Sequence, residues 1–158
     1  MTEKLLSLAL IEPEIPGNVG SIGRTCVALD SELQIVAPIP FEITDARVKR
    51  AGLDYWPHLD WIFLQNQQEF FQHNQGRRIV LTSARMGIPY HQFQFQKHDV
   101  IVMGKETMGL GNLLKQEYPV VHLPMWGKTR SINVANAATV FLYEAWKQIG
   151  FPITSNQV

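Results

Sequence analysis

Four polar residues stand together in the loop that joins a short apolar run to a long helical pattern near the end of the chain. Lys128, Arg130, Ser131 and Asn133 supply two positive charges, a hydroxyl and an amide. A helix that begins at Asn133 points its free N–H groups and the positive end of its dipole at this loop, which suits an anionic or carboxylate-bearing ligand. The alternative is that Ser131 and Asn133 only cap the helix.

The helix itself is predicted by its apolar spacing and its end signals. Asn133 is a favourable N-cap, and the residues on the apolar face recur three and four positions apart. That face consists of Val134, Ala138, Phe141, Leu142, Ala145, Trp146 and Ile149. Gly150 supplies a left-handed stop, and Pro152 prevents the helix from continuing.

Two further polar or glycine-rich segments follow apolar runs, at residues 82–83 and 104–111. In an open parallel sheet the ligand lies beyond the carboxyl ends of the strands. Glycine-rich turns can hold a purine and a ribose through main-chain groups. We therefore expect these segments and residues 123–133 to enclose an adenosine-like ligand.

The common phosphate-binding and metal-binding motifs do not fit. Gly17, Gly20 and Gly23 are spaced G-x-x-G-x-x-G, whereas the dinucleotide fingerprint needs G-x-G-x-x-G. Leu110 stands where a P-loop needs lysine, and the histidines are scattered, so no metal is expected. Asn18 and Arg24 could still converge on one ligand, or Arg24 could be a solvated helix charge.

The composition is that of an ordinary globular protein, and we expect residues 1–158 to form a single domain. Fourteen basic and fourteen acidic residues cancel, so any RNA binding requires a local patch. Cys26 is the only cysteine, which excludes an internal disulfide and predicts a core residue. No apolar run reaches the length of a membrane span, and we expect a cytoplasmic protein.

Basic and aromatic residues lie side by side between Arg47 and His58. Arg47, Lys49 and Arg50 precede Tyr55 and Trp56. This combination is typical of single-stranded RNA binding, by phosphate pairing and base stacking. An equal alternative is a solvated helix over core-packed aromatics.

Strand and helix patterns alternate along the chain and predict an α/β fold with a mostly parallel sheet flanked by helices. Predicted strands cover residues 5–11, 33–36, 61–64, 78–82 and 99–103, with a short run at 120–123. Predicted helices run from Val19 to Leu29, over 44–52, from Asn66 to His73, from Asn112 to Glu117, and from Asn133. Residues 84–97 give no clear prediction.

Three ordered motifs resemble those of the SpoU-type (SPOUT) RNA 2′-O-methyltransferases. The motif residues are Asn18 and Arg24 after E-P-E-I-P, then Gly104, Glu106, Thr107, Gly109 and Leu110, then Arg130, Ser131, Asn133 and Asn136. The A-G-L-D-Y stretch at 51–55 and the R-S-x-N loop are most similar to the branch that modifies the wobble nucleotide of tRNA. In the second motif Lys105 and Met108 depart from the usual proline and arginine.

This resemblance implies a deep C-terminal trefoil knot, S-adenosylmethionine as methyl donor, tRNA as substrate and a homodimer. By motif match the cofactor pocket would be lined by Leu81, Gly104, Leu123, Met125 and Ser131. The reacting ribose would be surrounded by Asn18, Arg24, Glu106, Ser131 and Asn133, with Arg24 supplied by the partner protomer.

Two other interpretations stay open at this point. The same chemistry could act on rRNA or on another tRNA position. Alternatively, the altered second motif could belong to an RNA-binding module without activity.

Overall fold

The structure, a computed structural model, describes residues 3–44, 46–51 and 54–151. Over these residues the chain forms strands and helices in alternation. The strands are β1 (Ser7–Ile11), β2 (Glu32–Val36), β3 (Trp61–Leu64), β4 (Ile79–Ser83), β5 (Ile88–Pro89), β6 (Val100–Met103) and β7 (Val120–His122). The helices are α1 (Pro16–Ala28), α2 (Ala46–Ala51), α3 (Gln67–His73) and α4 (Val134–Gln148). Short 3₁₀ helices occupy Trp56–His58, Tyr90–Gln92 and Gly111–Lys115.

The strands form a sheet of seven in the order β3-β2-β1-β6-β4-β7-β5. All of its strand pairs are parallel. This confirms the predicted α/β architecture. Four strands that are neighbours in the sheet, β1, β6, β4 and β7, therefore place the loops at their carboxyl ends side by side.

Apolar cores cover both faces of the sheet. On one face Leu8, Leu10 and Ile35 pack with residues of α1 and α4, including Ile22 and Phe141. On the other face Ala9, Ile11 and Val36 pack with Phe70 of α3 and Leu113. Every residue of β1 is buried, as expected for a strand covered on both sides.

The last helix follows its predicted pattern closely. The Asn133 side chain accepts hydrogen bonds from the N–H groups of Ala135 and Asn136, and Gly150 has φ +95° after the helix end. Trp146 is buried on α4, and its indole N–H donates to Ser31 Oγ at 3.1 Å. The buried side chains of this helix thus fix it across the sheet.

Other boundaries differ from the predictions. Helix α1 begins at Pro16, before Val19, because proline at the first helical position has no N–H left unpaired. The helix predicted from Asn112 to Glu117 is a shorter 3₁₀ helix at Gly111–Lys115, which ends because the backbone is extended at Gln116, whose N–H donates to Leu113 O at 3.1 Å. The sequence predicts Thr44 or Asp45 as the cap of α2 and Gly52 as its stop, and of these Asp45 and Gly52 lie outside the described residues.

Residues 84–97, which the sequence left unassigned, contain the edge strand β5 and a 3₁₀ turn. Phe93 and Phe95 are buried while Gln94 and Gln96 are exposed, so their alternation is that of an extended segment lying on the core. Phe95 N–H donates to Gln148 Oε1 at 2.8 Å, which ties this segment to the end of α4.

Cys26 is fully buried in α1, and burial raises the pKa of its thiol to about 12. It is therefore a core residue, as predicted. Over residues 3–44, 46–51 and 54–151, no helix has the length and apolar character needed to cross a membrane.

One buried carboxylate at the amino end of β6 makes the fold sensitive to a single substitution. Asp99 is fully buried and accepts from Arg78 Nε at 2.8 Å and Arg78 Nη2 at 2.7 Å. Asp99→Asn removes a buried carboxylate that accepts two charge-assisted hydrogen bonds, while the remaining Arg78 side chain is 32% exposed. We expect this substitution to lower the free energy of unfolding by about 2 kcal/mol.

Urea denaturation measures this effect, and Asp30→Asn is the matched control. Asp30 pairs with Lys4, but its side chain is 71% exposed, so its loss should cost less than about 1 kcal/mol. Equal destabilisation by the two substitutions would contradict a special role for the buried pair.

Candidate active site

A cavity of about 730 Å³ opens at the carboxyl ends of the strands. It is lined by residues 82–84, 103–110 and 130–134, by Leu123 and Met125, and by Ile15, Asn18, Leu114, Ala137 and Phe141. The three segments expected to meet do meet here. They come from the ends of β4, β6 and β7, and the loop after β1 joins them.

Most of the residues proposed for this site line the cavity. Of the predicted catalytic set, Asn18, Glu106, Ser131 and Asn133 do so. Of the predicted cofactor set, Gly104, Leu123, Met125 and Ser131 do so. Leu81 does not, because its side chain is fully buried in the core; the next residue, Thr82, lines the cavity instead.

The Glu106 carboxylate joins the loop after β6 to the start of α1. Its Oε2 accepts from the N–H of Glu14 at 2.8 Å, and its Oε1 accepts from the N–H of Ile15 and from Asn18 Nδ2, both at 3.2 Å. Ile15 precedes α1 and has no side chain that could cap it. A carboxylate near the positive end of a helix dipole is stabilised, so Glu106 is favourably placed at the start of α1.

Asn18 continues this contact to the third loop. Its Oδ1 accepts from Asn133 Nδ2 at 3.3 Å, while Asn133 Oδ1 caps α4. Asn133 therefore does more than cap the helix. Glu106, Asn18 and Asn133 form one chain of hydrogen bonds through all three motifs.

The Glu14 carboxylate forms a second contact between the loop after β1 and the loop after β6, which we call the Glu14–Thr107 clasp. Glu14 Oε1 accepts from Thr107 Oγ1 at 2.7 Å and from Thr107 N–H at 3.0 Å. The hydroxyl contact and then the backbone contact hold the pKa of Glu14 below its ordinary value of 4.5. The clasp is therefore present at neutral pH and is lost as the pH falls through the lowered pKa. Glu14 was not among the site residues predicted from the sequence, although it belongs to the E-P-E-I-P stretch before Asn18.

The loop after β6 leaves no space for a side chain at Gly104. A Cβ there would come within 2.2 Å of the Gly109 carbonyl carbon. Gly109 N–H donates to Lys105 O at 2.9 Å, and Gly109 has φ +62°. Only glycine fits this tight turn, which keeps main-chain groups exposed to the cavity.

Arg24 lies apart from the cavity. It is exposed on α1, its guanidinium lies 4.4 Å from the centroid of the Tyr55 ring, and Nη2 donates to Tyr55 Oη at 3.0 Å. Asn18 and Arg24 of one chain thus do not converge on a common ligand.

The aromatic residues of the basic and aromatic cluster are partly buried, which favours the second of the two interpretations for them. Trp56 is partly buried, with its ring centroid 5.3 Å from that of Trp61, and Arg24 covers one face of Tyr55. These aromatics are packed, so they are poorly placed to stack on RNA bases.

The cavity is lined by both polar and apolar side chains. Within the described part of the chain, no cluster of His, Cys, Asp or Glu side chains could hold a metal ion. The volume falls in the range of small-molecule and cofactor pockets, and Leu110, Leu123, Met125 and Phe141 give it apolar walls.

Comparison with known proteins gives consistent relatives over nearly the whole chain. The tRNA (cytidine(34)-2'-O)-methyltransferase of Methylovorus glucosotrophus is 35% identical over 93% of this chain and 97% of that protein. A protein of the same name from Yersinia pestis is 35% identical over 94% of this chain and 96% of that protein.

Two solved structures share the fold. One, described as giving structural insights into the 2-OH methylation of C/U34 on tRNA, has a TM-score of 0.87 and 37% identity over 90% of this chain and 95% of its own. The SpoU methyltransferase AviRb from Streptomyces viridochromogenes, in complex with the cofactor AdoMet, has a TM-score of 0.83 and 28% identity over 94% of this chain and 62% of its own.

Residues 5–143 match the SpoU rRNA methylase family, and that span includes β1, all three motifs and most of α4. The match confirms the resemblance to SpoU-type methyltransferases that the three motifs indicated. The chain therefore belongs to the SpoU rRNA methylase family.

Proposed function

We propose that the chain is an S-adenosylmethionine-dependent methyltransferase that modifies the ribose 2′-oxygen of the wobble nucleotide of tRNA, in the cytoplasm. The observation that carries the proposal is the hydrogen-bonded chain Glu106–Asn18–Asn133, which joins three loops around one cavity. Relatives that carry this activity in their names match the chain along more than nine tenths of its length.

The cavity fits the methyl donor. The bare turn at Gly104 exposes main-chain groups to an adenosine, and Leu123 and Met125 offer apolar contact. When bound, S-adenosylmethionine supplies a methyl group already activated by its sulfonium charge. The task of the protein is then mainly to position the ribose oxygen, by proximity and orientation.

Asn18, Ser131 and Asn133 would hold the ribose, since these polar residues line the cavity. Glu106 acts as a positioning residue rather than a free base, because both of its oxygens already accept hydrogen bonds. Arg24 would clamp the adjacent phosphate and stabilise the developing alkoxide electrostatically. A guanidinium is too weak an acid to lose its proton and serve as a general base.

A homodimer would bring Arg24 of one protomer to the cavity of the other. Arg24 is exposed and outside the cavity of its own chain. Ile15 before α1 and Val140 and Tyr143 on α4 are exposed apolar side chains, which suits pairing through these helices.

We propose further that residues 1–158 form a single domain with a C-terminal trefoil knot. The family match supports this proposal. In the structure α4 packs on α1, where Thr139 contacts Thr25, and on the 84–97 segment, where Phe141 packs on Tyr90. If the termini are joined in the native state and the ring is then unfolded, a knotted ring should have a smaller hydrodynamic radius than an unknotted ring of equal length. Equal radii would rule the knot out.

Deletion of the gene tests the proposed substrate. We expect nucleosides from the tRNA of the deletion strain to lack the wobble 2′-O-methyl group, with rRNA methylation unchanged, in mass spectrometry. The chain itself should restore the modification, and Asn133→Ser, which can still cap α4 but lacks the amide donor to Asn18, should not. Loss of an rRNA methyl group with intact wobble methylation would instead favour the rRNA interpretation.

Substitution of Arg24 tests the proposed electrostatic role. We expect Arg24→Ala to bind S-adenosylmethionine normally but to lose about 10²-fold in methyl transfer, the usual effect of removing one charge-stabilising donor. Single-turnover rates with tRNA measure the loss. Near wild-type turnover would refute the assignment.

Mixing two inactive variants shows which protomer supplies Arg24. In a mixed dimer of Arg24→Ala and Asn133→Ser, one site combines an intact Asn133 with the arginine of the other chain. Random mixing should restore about a quarter of wild-type activity, because half the dimers are mixed and each has one intact site. A mixture as inactive as its components would show that the arginine does not act across the dimer.

A further inference from the structure

Trp126 is the most exposed of the large apolar side chains that the structure describes, at 92%, followed by Met108 at 74%. Single exposed apolar residues are common, so exposure alone argues little. The position of Trp126 is more informative. It directly follows Met125, and both Met125 and Arg130 line the cavity, while Met108 lines it from the loop after β6.

The loop that carries Trp126 is held by its neighbours. Arg85 Nη2 donates to Thr129 O at 3.1 Å, and Thr129 Oγ1 donates to Ser131 O at 3.0 Å. Ser83 Oγ in turn accepts from Met86 N–H at 3.2 Å, which fixes the segment after β4. The indole is therefore presented by an ordered loop, and binding against it would cost little conformational entropy.

The loop that carries the indole is rich in positive charge. Lys128 and Arg130 are exposed, and neither side chain makes an ion pair or a hydrogen bond with another described residue. Arg85 adds a third cation beside the loop, and residues 123–133 include no acidic residue. An exposed aromatic ring among unpaired cations is complementary to single-stranded RNA, which offers base faces and phosphates.

We infer that Trp126 stacks on the unpaired base of the nucleotide whose ribose is methylated, while Lys128 and Arg130 contact the flanking phosphates. The inference rests on the proposed RNA methylation and assigns its base-recognition residue. Tyr55 and Trp56, the aromatics that the sequence suggested for this role, are occupied by Arg24 and Trp61. Stacking holds the sugar at the cavity mouth without selecting one base, since every base has a π-face.

Methyl transfer to two RNAs tests this directly: the tRNA substrate, and the same tRNA made abasic at the target nucleotide, which keeps its ribose. With the intact tRNA, Trp126→Ala should raise KM about 10-fold, as for the loss of one base–aromatic stack, with kcat nearly unchanged. Trp126→Phe should recover most of the affinity. With the abasic tRNA, the wild-type KM should rise to that of Trp126→Ala, and the substitution should have no further effect.

A purely structural role would weaken binding of both RNAs equally, so equal losses on the two substrates would overturn the inference. An unchanged KM for the intact tRNA would overturn it too. Dissociation of Trp126→Ala into monomers during size measurement would show instead that the indole covers a second copy of the chain. If the wild-type protein methylates no tRNA, the proposed function itself fails, a result distinct from a methylating enzyme that is indifferent to residue 126.

Discussion

The contact between the Glu106 carboxylate and the start of α1 is the interaction on which the site depends. It accepts from the N–H groups of Glu14 and Ile15 just before the helix, and it holds Asn18, which in turn holds Asn133. A single side chain thereby links the loop after β1, the loop after β6 and the loop before α4. The clasp between Glu14 and Thr107 reinforces the first two from the other side.

The sheet makes this contact possible. Strands β1, β6, β4 and β7 are neighbours and parallel, so the loops that follow them all leave the same edge. Burial on both faces fixes these strands rigidly, and the Thr82 hydroxyl, which donates to Val102 O at 2.7 Å, ties two of them together at the cavity floor. A rigid support of this kind lets short loops position substrate groups accurately.

Periodicity and end signals predicted the strands other than β5, the last helix and the residues of three loops, because burial and capping act over a few neighbouring residues. They did not predict contacts between distant segments. Glu14 could not be recognised as a site residue because its partner Thr107 is remote in sequence. Leu81 was expected in the cavity, but side chains alternate along the strand and Thr82 lines the cavity instead. The basic and aromatic residues between Arg47 and His58 are typical of an RNA-binding surface. In the structure, however, Tyr55 packs against Arg24 and Trp56 packs against Trp61. Family motifs pointed to Asn18, Glu106 and Asn133, and all three line the cavity, whereas the hydrogen bonds that join them needed the fold.

The most direct test of the account is calorimetric titration of S-adenosylmethionine into the wild-type protein and two glycine variants. A Cβ at Gly104 would meet the Gly109 backbone at 2.2 Å, whereas one at Gly17 meets nothing within 4 Å. The account predicts binding by the wild type and by Gly17→Ala, and no detectable heat for a folded Gly104→Ala protein. Equal affinity in all three proteins, or no binding by the wild type, would contradict the claim that these loops enclose the donor.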